Sequence, residues 1–170
     1  MSDLEKRITA KMVLDDSGYS STLKGINSEI KNNRSALRAA QSGLEAFGNT
    51  TKNVTKVQES LKRQLELQSK KVEMYKESLS KTSSTLEKNV AERNKLKQSL
   101  DQEKAKLESL KKTYGSNNEA VRNSEEKLKN LQEQYDKVDK SVENNAKKIQ
   151  NYKNSLNNAE DQVKDRKSVV

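Results

Sequence analysis

Side chains able to do chemistry are scarce in this chain, and none stands in a spacing that supports a reaction. There is no His and no Cys among the 170 residues. The commonest general base near neutral pH, thiol nucleophiles and the usual transition-metal ligands are therefore missing. The 25 Asp and Glu residues are interleaved with 34 Lys and Arg, along faces that read as solvated helix, where nothing would raise a carboxyl pKa for acid–base work. Asp15-Asp16-Ser17-Gly18 opens like a calcium loop but lacks the acidic ligand at the far end. Gly18 and Gly25 do not make a phosphate-binding loop, because Ile26 stands where that loop needs Lys. Asn33, Asn49 and Asn53 open glycosylation triplets. The first residues lack the apolar core of a signal peptide, so these triplets are expected to stay unmodified. No catalytic residue, cofactor, metal or small-molecule substrate is expected.

What the residues do specify is length. From Leu65 an apolar residue recurs every seventh position: Leu65, Val72, Leu79, Leu86, Leu100, Leu107, Tyr114, Val121, Leu128, Tyr135, Val142, Ile149, Leu156, Val163 and Val170. Arg93 is the one break. A sustained heptad repeat means helices that pack along a seam and supercoil left-handedly. With this series at position a, position d is far more polar, including Gln68, Thr82, Asn89, Glu103, Asn117, Ser124 and Asn145. Each buried amide or hydroxyl there needs a partner or costs about 1–3 kcal/mol, so the seam is soft. Asn89, Asn117 and Asn145, four heptads apart, could fix register. The residues of the a series up to Val163 are the expected oligomerisation core.

Composition agrees. The chain is 30% hydrophobic and 35% charged, with no Pro. That is too polar for an ordinary globular core and fits long helices, with disorder as the competitor. No apolar run approaches a membrane span. The net charge of +9 concentrates in the middle, about +2 over residues 1–60, about +6 over 61–114 and about +1 beyond. Charge alone suggests a nucleic-acid binder. Yet the cations alternate with acids and no groove-reading motif or exposed aromatic accompanies them, so any DNA contact is expected to be unspecific. Acid-before-base pairs at i,i+4, such as Glu77–Lys81, Glu125–Lys129 and Glu160–Lys164, read as solvated helix faces.

The expected class is all-α, a long heptad helix in an oligomeric coiled coil, with a short strand and turn in front. Residues 1–21 hold a β-like run at 8–14 and a turn at 15–18. A first helix covers 22–47, capped by Ser20 or Ser21. A basic central helix covers 50–113 and a C-terminal helix 117–170. The breaks at Gly48-Asn49-Thr50-Thr51 and Tyr114-Gly115-Ser116-Asn117-Asn118 both preserve heptad phase, which favours a near-continuous parallel rod of about 220 Å. The rival is an αα-hairpin turning at Gly115–Asn118. Strand number stays open, with a trimer the first candidate.

Four stretches resemble one family. They are Ile8-Thr-Ala-Lys-Met-Val-Leu-Asp-Asp-Ser-Gly-Tyr, Leu23-Lys-Gly-Ile-Asn-Ser-Glu-Ile-Lys, Gly43-Leu-Glu-Ala-Phe-Gly and the Leu61-Lys-Arg-Gln-Leu-Glu-Leu run. Together they are similar to the N-terminal region of tail tape measure proteins of tailed phages and phage-tail-like bacteriocins, over residues 8–115. The resemblance implies a structural ruler in the lumen of a phage-type tail tube, templating its assembly. It implies a homo-oligomer with tail tube, baseplate or tail-tip proteins and tail assembly chaperones as partners, in the virion tail and, during assembly, the host cytoplasm. Family members are usually far longer, so the chain is expected to be an N-terminal piece. The alternative is a generic cytoplasmic coiled-coil scaffold.

Overall fold

The computed structural model describes residues 17–48 and 51–167. Helix makes up 97% of them, and no strand occurs among the described residues. The elements are α1 (Ser17–Phe47), α2 (Thr51–Tyr114) and α3 (Glu119–Lys167). The expected strand at residues 8–14 lies outside the described residues. Ser17 and Gly18, expected in a turn, are instead the first residues of α1. A helical Gly costs only about 1 kcal/mol against Ala, too little to stop a helix held by its neighbours.

Both interruptions are built alike. Gly48 and Gly115 each take a φ of 74°, the left-handed conformation that costs other residues roughly 1–2 kcal/mol. The Gly48 amide donates to the Leu44 carbonyl at 2.9 Å and the Gly115 amide to that of Lys111 at 3.1 Å, which closes the last turn of each helix. Asn118 then caps α3. Its Oδ1 accepts from the Ala120 amide at 2.8 Å, and its carbonyl accepts from the amides of Val121 and Arg122.

The turn at Gly115 overturns the expected continuous rod. After it α3 runs back along α2. The described chain divides into two compact units. In the first, residues 82–148, Lys111 Nζ meets Glu125 Oε1 at 2.7 Å and Arg93 Nη1 meets Asp139 Oδ1 at 3.1 Å. Only an antiparallel hairpin pairs both sets. In the second, residues 17–81 with 149–167, Lys76 reaches Glu160 at 3.4 Å, so that stretch of α3 is antiparallel to α2 as well. There α1 forms a further antiparallel pair with α2. Arg63 contacts Glu29 at 2.7 Å, and Asn33 Nδ2 donates to the Ser60 carbonyl at 2.8 Å.

Preserved phase does not discriminate rod from hairpin. The turn is centred near Asn117, itself a d residue. Reversing the chain about that point carries every d position onto a d position, so the d stripe of one helix meets the d stripe of the other. Helices that must present the same stripe to each other need that symmetry as much as a straight rod needs continuity.

Candidate assembly surface

The seam lies along the polar line. In α2 the d residues Gln68, Tyr75, Thr82, Asn89, Leu96 and Glu103 are buried, as are Ser124, Val138, Asn145 and Ala159 of α3. The greasier a line flanks them. Val72, Leu100, Val121 and Val142 are buried. Leu65, Leu79, Leu86, Leu107, Leu128, Tyr135, Ile149, Leu156 and Val163 are only half-buried. Tyr114, at the turn, is 60% exposed. An antiparallel pair that meets along d carries both a lines on one edge of the seam, so the half-buried residues form a shared apolar margin rather than two separate ones. Arg93 sits in that margin, and its break in the series is accounted for by the Asp139 carboxylate across the seam.

In the 82–148 unit the register places Asn145 across from Asn89. Both are buried, and the Nδ2 of each lacks a hydrogen-bond partner. Asn117, the third member of the expected series, is exposed in the turn. Glu103 is treated differently. Its carboxylate accepts from Ser124 Oγ at 2.8 Å and from Lys127 Nζ at 2.7 Å. The Lys127 bond first and the Ser124 bond second hold its pKa below the ordinary carboxyl value, against the opposing effect of burial. Two packed helices put little protein over any side chain, so desolvation loses to two charge-assisted bonds.

In the other unit, Val72, Tyr75 and Ala159 form a cluster with Leu23, Tyr152, Leu156 and Val163. A second cluster joins Ile26, Ile30 and Leu67, with Met74 against it. Leu67, 1% exposed, and Met74 lie on neither a nor d. They are the stripe that α1 covers, and two members seven apart were the only sequence signal for it. Leu65 lines a shallow groove with Ile26 and Met74. Val72 and Val163 line a second, bordered by Lys76 and Glu160. Among the acids expected to pair along their own helix, Glu77 does so with Lys81. Glu125 and Glu160 instead bridge to α2.

No group of His, Cys, Asp or Glu able to hold a metal occurs among the described residues. No described helix is long and apolar enough to cross a membrane. Comparison with protein-family models, curated proteins and solved structures finds no match.

Proposed function

We propose that the chain is a structural assembly protein that associates with copies of itself, and that it serves as the N-terminal part of a tail tape measure in a phage-type tail tube. The observation that carries self-association is the apolar margin. Leu86, Leu107, Leu128 and Tyr135 stay half-buried along one edge of the 82–148 unit, and a second copy would remove that edge from water at about 25 cal/mol per Å². The tail setting rests on the sequence resemblance over residues 8–115. A tube-filling protein needs helices and a charged exterior; the described elements are all helices, and 35% of the residues are charged.

One observation favours the scaffold reading. Antiparallel folding at Gly115 returns α3 along α2, which shortens the reach per residue on which a ruler depends. Two measurements separate the readings. Light scattering on the purified chain is expected to give a multiple of 19.3 kDa; a strictly monomeric mass up to high concentration removes self-association. Co-expression with a tail-tube protein is expected to yield a complex. Oligomers that never retain the tube protein leave the scaffold reading standing alone.

A further inference from the structure

One cleft of the three-helix unit is built for charge. It has a volume of about 390 Å³ and is lined by Lys31, Arg34 and Arg38 of α1, Lys71 and Gln68 of α2, and Gln162 of α3. No carboxylate lines it. Lys31, Arg34 and Arg38 lie at i, i+3 and i+7, so they share one face of α1, and Lys71 approaches from the neighbouring helix. None of these four cations has an ion-pair partner among the described residues; Lys71 Nζ lies 5.9 Å from the centre of the Tyr75 ring.

The arrangement works against itself when empty. Burial, then the Arg34 guanidinium, pushes the Lys71 ammonium below its ordinary value. The same two causes act in that order on Arg166, with Asp165 opposing them. Arg34 therefore repels cations on both other helices. At the floor of the cleft Gln68 is 1% exposed, and its Oε1 has no partner. A buried amide group without a partner costs about 1–3 kcal/mol. The other end of that amide, Nε2, is an N–H donor.

We propose that this cleft binds phosphate-type oligoanions, with Lys31, Arg34, Arg38 and Lys71 neutralising the charge and Gln68 donating from the floor. Its volume lies within the range of small-ligand sites, about 300–1,000 Å³. Successive cations on α1 are about one helical turn, 5.4 Å, apart, a spread suited to linked phosphates more than to a single ion. The linked phosphates can come from a free polyphosphate or from a nucleic-acid backbone.

Calorimetric titration of the full chain at low salt tests this, with sodium tripolyphosphate in one arm and an eight-nucleotide oligothymidylate in the other. Tripolyphosphate is expected to bind, and the double variant Arg34→Gln/Arg38→Gln is expected to weaken it by at least about tenfold, the worth of one charge-assisted hydrogen bond. The charge-matched double variant Lys95→Gln/Lys97→Gln, on exposed positions of α2, is expected to change it little. Arg34→Gln relieves repulsion, so without ligand it is expected to melt no lower than the parent, which separates lost binding from lost fold. Oligothymidylate binding with the same variant profile assigns the phosphates to a nucleic-acid backbone, and tripolyphosphate binding alone assigns them to a free anion. No binding of tripolyphosphate overturns the site, whatever the oligonucleotide does. Equal loss in the two double variants also overturns it, because net charge alone would then explain the affinity.

Discussion

Single residues decide whether the polar seam holds. Glu103 is the clearest. Its folded pKa is depressed, so the stability it contributes is fully present above the ordinary carboxyl value of 4.5 and is lost as the pH falls through the lower folded value. Urea unfolding of the parent chain is expected to show a decline below about pH 4.5. Glu103→Gln is expected to lose about 1–2 kcal/mol near neutral pH and to show a smaller acid decline. An unchanged pH profile in the variant would remove Glu103 from this role. Gly115 is equally local. A Cβ there would meet nothing within 4 Å, so Gly115→Ala is expected to cost the turn about 1–2 kcal/mol through backbone conformation alone. A far larger loss in thermal unfolding would mean that contacts, not φ, set the requirement.

At the scale of elements, helix and break points were legible, and the direction of the third helix was not. Prolines are absent, heptads run throughout, and Gly48 and Gly115 are followed by capping residues. Those are local signals, and they act over one or two turns. Direction depends on which stripe meets which across the seam, and here the d positions keep the same spacing read forward or backward from Asn117. Apolar character favours burial, yet the antiparallel pair centres on d, and the a line became its margin. Leu67 and Met74 are not legible as core from α2 alone, because it is a third helix that covers them. The facing amides follow from the same geometry. Replacing both partners of an unsatisfied buried pair with apolar groups is neutral or stabilising, so Asn89→Leu/Asn145→Leu is expected to raise stability by about 1–3 kcal/mol in chemical denaturation. A destabilised double variant would mean that the amides are satisfied in solution.

For the molecule as a whole, the decisive matter is whether the hairpin closes within one chain. These 170 residues include no Cys, so an engineered pair reports cleanly. Lys111→Cys/Glu125→Cys is expected to oxidise to a disulfide within a single chain, read as one chain mass by non-reducing electrophoresis. In a continuous helix those positions would be about 21 Å apart, far beyond the reach of a disulfide, and only cross-linked dimers would form. The mirror-like register has one more consequence. Suppose Gly115-Ser116-Asn117-Asn118 straightens into helix. Tyr114 and Val121 are one heptad apart, so both stripes then run unbroken, and two opened chains laid head to tail remake every layer that each had formed alone. The four-residue turn is thus the whole difference between a folded chain and an arm-exchanged dimer.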